Sequence, residues 1–180
     1  MKITRLHIKN FKSVQELTIE GIEDVLIFVG RNNAGKSVML DAIRAVSGDY
    51  AVSDRDFHEH EGNINIGVRL LIAKEDLEYM HRKGVMGSYK SFDMWKKNFC
   101  QKLPSYKEND TNDGELQFEY VYGRDGLVRY KDGYRKNNQY IRQIFPKIYF
   151  VDHSRNKGDI KEDLILLQQD AGLQALRENR

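Results

Sequence analysis

Residues 30–37 read Gly30-Arg31-Asn32-Asn33-Ala34-Gly35-Lys36-Ser37 and match the spacing G-x-x-x-x-G-K-S/T at every fixed position. Each fixed residue has a physical task. Gly30 and Gly35 permit backbone angles and a closeness of approach that a side chain would block, so successive N–H groups can turn inward around phosphate oxygens. Lys36 carries a mobile positive charge to the β- and γ-phosphates. Ser37 offers a hydroxyl to a magnesium ion, and a helix opening there directs its partial positive end at the anion. The chemistry implied is the capture of a nucleoside triphosphate, ATP with Mg2+, by Gly30, Arg31, Asn32, Asn33, Ala34, Gly35, Lys36, Ser37 and Val38, with Ser37 also the metal ligand.

Such a loop works only if a strand delivers it and a helix receives it. Val25-Leu26-Ile27-Phe28-Val29 is a continuous apolar run that leads directly into Gly30, as expected of a strand buried on both faces of a parallel sheet. After Ser37, the residues Val38, Leu40, Ala42, Ile43 and Val46 follow at helical spacing, and Gly48 is a stop. Upstream, Ile3, Leu6 and Ile8, then Val14, Leu17 and Ile19, predict two paired strands around the turn at Asn10 to Ser13. Downstream, Ile64 to Leu70 alternates as a half-exposed strand, and Glu75 to Arg82 reads as a short helix. Tyr89, Phe92, Trp95 and Phe99 suit one helical face, and Lys102 to Gly114 reads as a polar loop. Leu116 to Tyr122 and Leu127 to Tyr130 flank Arg124-Asp125-Gly126 as a hairpin. Ile148-Tyr149-Phe150-Val151 is a second buried-strand candidate, and Asp159 to Arg180 is helix-like, with more leucines than one narrow stripe would bury.

The loop and its flanks narrow the family. Gly30 to Ile43 resembles the N-terminal motif of the ATPase heads of SMC, RecF and OLD-family proteins, near G-x-N-x-x-G-K-S-x-x-x-D-A-I, with Asn32, Asp41, Ala42 and Ile43 in register. Ile3 to Ser13 looks like the opening strand and turn of the same heads, and Ser53-Asp54-Arg55-Asp56-Phe57 before the strand from Ile64 is most similar to the OLD-type branch. The resemblance implies an α/β, ABC-type P-loop NTPase N-lobe, with an antiparallel strand pair leading into the Walker A strand, loop and helix. It covers residues 1–72 most closely; residues 73–145 form a variable helical and hairpin region, and 146–180 a strand and C-terminal helix. In such heads two copies close around two nucleotides, usually to act on DNA, so the implied partners are a C-terminal ATPase lobe or a second head, with DNA.

The departures from that pattern bear on catalysis. The heads complete each site with a signature motif, a Walker B strand ending in Asp-Glu and a switch histidine. Here the nearest Walker B likeness is Ile148 to Asp152, and His153 stands where the catalytic Glu would be. Without a group to orient water or to stabilise charge on the transferring phosphoryl group, the loop is expected to bind ATP and hydrolyse little. The expectation is the N-terminal part of a larger or split ATPase; the alternative is a non-catalytic module whose bound ATP orders a surface for a partner. Asn156-Lys157-Gly158-Asp159 fits the guanine-reading N-K-x-D pattern, but the chain has no D-x-x-G, which argues against a GTPase.

Weaker signals read as ordinary structure. His58-Glu59-His60 lacks an evident third metal ligand nearby, and Cys100 is expected to pack beside Phe99 and Trp95. The basic residues Lys96, Lys97, Lys102, Arg124, Arg129, Lys131, Arg135 and Lys136 lie among aromatics and suit either a nucleic-acid backbone or solvent. Of 180 residues, 40% are apolar and 31% charged, enough for a globular core. The 29 Lys and Arg against 27 Asp and Glu leave +2, far from the excess of a dedicated nucleic-acid binder. One cysteine excludes an intrachain disulfide, and no apolar stretch is long enough to secrete or span, so a cytoplasmic setting without membrane contact is expected.

Overall fold

The two N-terminal apolar patterns become β1 (Lys2–Phe11) and β2 (Val14–Glu20) in the computed structural model, which describes residues 1–23, 26–27, 35–58, 62–110 and 113–145. They pair antiparallel, with Ile8 opposite Leu17 and Phe11 opposite Val14. The connection is only Lys12 and Ser13, and Lys12 accepts a left-handed φ of 52° to make it.

On the other edge of β1 lies β3 (Ile64–Ile72), also antiparallel, with Ile8 opposite Ile66. Two more strands follow in the chain, the two-residue β4 (Lys107–Glu108) and β5 (Gly114–Tyr122). β5 pairs with β3 along its whole length, from Ile72 opposite Gly114 to Ile64 opposite Tyr122. β6 (Val128–Lys131) returns along the outer edge of β5 at its end, while β4 occupies the same edge at its beginning. The result is a six-stranded sheet in the order β2-β1-β3-β5-β4, with β6 on β5.

Period-two alternation decides which face is buried. Leu6 and Ile8 of β1, Ile64 to Ile72 at every second position of β3, and Leu116, Phe118 and Tyr120 of β5 all enter one hydrophobic core. The same core takes Val38, Ala42, Ala45 and Val46 from α1 (Lys36–Ser47), Leu77 and Met80 from α2 (Lys74–Arg82), Trp95 and Phe99 from α3 (Phe92–Lys102), and Ile141 and Ile144 from the single turn α4 (Ile141–Ile144). Trp95 is wholly buried, stacks on Phe92, meets Phe99 at a tilt, and satisfies its indole N–H on the Val85 carbonyl at 2.7 Å. Ser91 caps α3 by accepting from the Met94 N–H.

Four expectations change. The Val25 to Val29 run does not read as a doubly buried parallel strand where it is described: Leu26 and Ile27 lie outside any strand and are 38% and 75% exposed. Val25, Phe28 and Val29 are not described, and among the described residues every strand pairing is antiparallel. The helical face expected from Tyr89 begins only at Phe92; Tyr89 precedes the helix and accepts from the His81 ring through its carbonyl. The Lys102 to Gly114 loop is interrupted by β4, and the Tyr106 ring fills the space that a side chain at Gly114 would need. The helix after the loop starts at Lys36 rather than Ser37. Residues 30–34, Ile148 to Val151, Asp152, His153, Asn156 to Asp159 and the C-terminal helix from Asp159 lie outside the described residues.

Candidate nucleotide-binding site

Gly35 opens α1. Its φ of 77° is left-handed, it is the N-cap of α1, and being glycine it supplies no side-chain oxygen to cap the first turn. No acidic residue stands in that turn, so nothing there repels an anion. Lys36 is half-buried, Ser37 is exposed, and Val38 is buried in the core, where it anchors the opening turn by its side chain and by its N–H on the Gly35 carbonyl at 3.0 Å. At the far end Gly48, with a φ of 91°, ends the helix, and the N–H groups of Asp49 and Tyr50 fold back onto the Arg44 carbonyl at 2.8 and 3.1 Å. That return brings Tyr50 alongside the turn between β1 and β2.

A polar cluster fills the junction of that turn with α1. The Lys12 ammonium donates to Asp41 Oδ2 of α1 at 2.6 Å and lies 4.4 Å from the centre of the Tyr50 ring. Asp56, in a 3-10 turn at Asp54–Asp56, is buried. It accepts from the Tyr50 hydroxyl at 2.6 Å and from the Ser53 N–H and hydroxyl at 2.8 and 2.9 Å, with the Lys12 Nζ 3.9 Å away. Lys12 also donates its backbone N–H to the Asp56 carbonyl at 2.6 Å, and the His58 ring donates to the Lys12 carbonyl at 2.8 Å.

The electrostatics follow from those contacts. Burial disfavours the charged forms of Lys12 and Asp56. The hydrogen bonds to Asp41 and Tyr50 nevertheless hold the Lys12 ammonium above its ordinary pKa. For Asp56 the donors on Tyr50 and Ser53, with the Lys12 charge, outweigh burial and keep its carboxyl below the usual range. Burial and the bond to Asp56 push the Tyr50 phenol up, so it stays a donor.

Of the sequence-predicted phosphate-binding residues, Gly35, Lys36, Ser37 and Val38 are described and sit together at the start of α1; Gly30, Arg31, Asn32, Asn33 and Ala34 are not described. Asp41, singled out only for its register in the motif, turns out to be the partner of Lys12. The sequence reading missed Lys12, Tyr50 and Asp56 as one cluster; its only signals were the Lys in the predicted turn and the Asp in the Ser53 to Phe57 segment. Beside them a cleft of about 720 Å³ is lined by Ser13, Gln15 and Leu17 of the hairpin and Met39 of α1. His58 is engaged with the Lys12 carbonyl, and among the described residues no group of three metal-ligating side chains occurs. Cys100 is partly buried against the core, with burial pushing its thiol pKa up, away from nucleophilic character. Several basic candidates are spent locally: Lys96 on Glu108, Lys102 on the Met86 carbonyl, Arg129 on Asp125, and Arg135 on the Gln101 carbonyl.

Comparison with known proteins bears on this arrangement. A family model described as an AAA ATPase domain matches residues 1–179. The chain belongs to this AAA ATPase domain family. A solved structure, from work on ATP-driven dimerization and DNA-stimulated activation of SMC ATPases, matches with a TM-score of 0.51 at 18% identity over 90% of each chain. The fold is therefore that of a P-loop NTPase of the SMC-head type, and family membership implies nucleotide binding. An uncharacterized protein of Methanocaldococcus jannaschii is 44% identical over 41 residues, a match that covers 23% of this chain and 19% of that relative. Among the described residues no helix of this AAA ATPase domain is long and apolar enough to cross a membrane.

Proposed function

We propose that this chain is the ATP- and Mg2+-binding N-terminal part of an SMC/RecF/OLD-like ATPase that serves DNA processing, repair or phage defence in the cytoplasm. The observation that carries the reading is the left-handed Gly35 opening α1 with Lys36 and Ser37 and without a capping side chain, in a chain of the AAA ATPase domain family.

The residues present fit a phosphate chain with its metal. An uncapped, carboxylate-free helix start offers backbone N–H groups to phosphate oxygens, Lys36 adds a charge, and Ser37 exposes a hydroxyl on the face that also carries Asp41. The residues 30–34 would wrap the remaining oxygens. A magnesium ion, when bound, neutralises charge on the phosphates. The described residues thus bind and orient; no side chain in the cluster is free to act as a general base, because Asp41 and Asp56 are both committed to Lys12, Tyr50 and Ser53. Turnover would await groups supplied by a C-terminal lobe or a second copy, a partnership in keeping with the dimerization for which the SMC relative was studied, and DNA would be the substrate of the completed assembly.

Calorimetric titration with Mg·ATP tests the reading. The wild type should bind weakly, because a half-site encloses little of the base, and Lys36→Ala should lose binding. Equal affinities for the two proteins would overturn it.

A further inference from the structure

We infer that Tyr50 and Asp56 are positioning residues for the phosphate-binding end of α1, acting through Lys12 to keep Asp41 neutralised where an anion must arrive. The inference rests on the nucleotide-binding reading and deepens it.

Asp41 stands four residues after Ser37, hence one turn further along the same helix face, with Cβ atoms about 5–6 Å apart. A carboxylate there opposes a phosphate group unless its charge is balanced. Lys12 balances it at 2.6 Å, and the alternative cation, Arg44, is farther at 3.9 Å and more exposed. Yet a lysine has four rotatable bonds, and ordering one for a single ion pair normally cancels much of the gain.

Here the ordering is done by groups fixed independently of the ammonium. The chain reversal at Gly48 sets the Tyr50 backbone against α1, and the Tyr50 ring meets Phe11 edge-on at 6.2 Å. The Tyr50 hydroxyl is tied to Asp56 Oδ1, and Asp56 Oδ2 is tied to Ser53. Lys12 therefore enters a preformed cage, with the Tyr50 ring on one side, Asp56 beyond, and Asp41 as its direct partner. The left-handed φ of Lys12 is held in turn by its backbone bond to Asp56. Loss of the cage would free the ammonium to sample solvent and leave Asp41 as an unscreened negative charge one turn behind the phosphate site.

The test is Mg·ATP affinity and nucleotide-free melting temperature for a set of variants. Tyr50→Phe keeps the ring and loses the tie to Asp56, and should weaken binding about threefold to tenfold. Lys12→Met should weaken it about tenfold or more. In the Lys12→Met background Tyr50→Phe should cost nothing further, and Asp41→Asn should restore affinity toward the wild type, since it removes the charge that Lys12 no longer masks. A purely structural cluster gives the opposite pattern: affinity falling only in step with melting temperature, Tyr50→Phe equally costly in both backgrounds, and no rescue by Asp41→Asn. That pattern, or Tyr50→Phe binding within about twofold of the wild type, overturns the inference while Lys36→Ala still upholds nucleotide binding. If Lys36→Ala binds as the wild type does, the nucleotide reading falls first and the inference with it.

Discussion

In and around β3, α2 and α3 the chain buries Ile66, Leu70, Leu77, Trp95 and Phe99 completely, whereas at the junction of the β1–β2 turn with α1 neighbouring segments are joined by Lys12, Asp41, Tyr50 and Asp56. The first region is stabilised by area removed from water, which depends little on pH or salt. The second depends on charges remaining in place, which makes it sensitive to pH and lets it hold a helix end in a defined position. An anion site benefits from the second kind of support, because preorganised charge contributes to binding more directly than extra packing does.

The largest break in that contrast is expected from Trp95→Ala. It should cost about 3–5 kcal/mol in urea unfolding, since the indole is wholly buried and makes a hydrogen bond as well. Lys36→Ala should do the reverse, leaving the urea midpoint unchanged while nucleotide affinity falls by about 100-fold, or about 2.7 kcal/mol. A matching loss of stability would show that Lys36 supports the fold and not the ligand.

Asp56 sharpens the comparison through pH. Its carboxyl is held below its ordinary 3.8, so its contribution is present above that value and disappears as pH falls through the lower native one. Asp56→Asn should therefore destabilise by about 1–3 kcal/mol at neutral pH. The gap from the wild type should close in melts taken progressively below pH 3.8. At the other extreme Lys12, raised above 10.5, contributes below that pH and is lost as pH rises past its native value. The packed region should show neither dependence; a gap that persists in strong acid would place the effect of Asp56 in packing.

Gly35→Ala is expected to be milder, about 1–2 kcal/mol, because among the described residues the nearest atom to the added Cβ is Ser13 Oγ at 3.6 Å, and the left-handed φ of 77° is strained. Its signature would be a larger loss in nucleotide affinity than in melting temperature. The smallest effect belongs to Leu40→Gln on the exposed side of α1: with Leu40 47% exposed, stability should stay within about 0.5 kcal/mol.

Much of the packed region was legible because it is written in a period. Ile64 to Ile72 and Leu116 to Tyr122 alternate, and burial of one face forces them to be strands in one register. Arg124-Asp125-Gly126 announces the turn between β5 and β6 for the same local reason. Of the apolar run at Val25 to Val29 only Leu26 and Ile27 are described, and both are exposed; a short continuous run has no period to say what covers it.

By itself the sequence determined the phosphate-loop motif, the helix that follows it, its glycine stop and the alternating strands, all of which depend on residues close together in the chain. The tertiary structure alone decided that Lys12 meets Asp41, 29 residues away, that Tyr50 and Asp56 enclose it, and that β1 lies between β2 and β3. The reason is physical: local patterns follow from backbone geometry and burial of one face, whereas an ion pair between distant residues has no period and is fixed only when packing brings the two elements together.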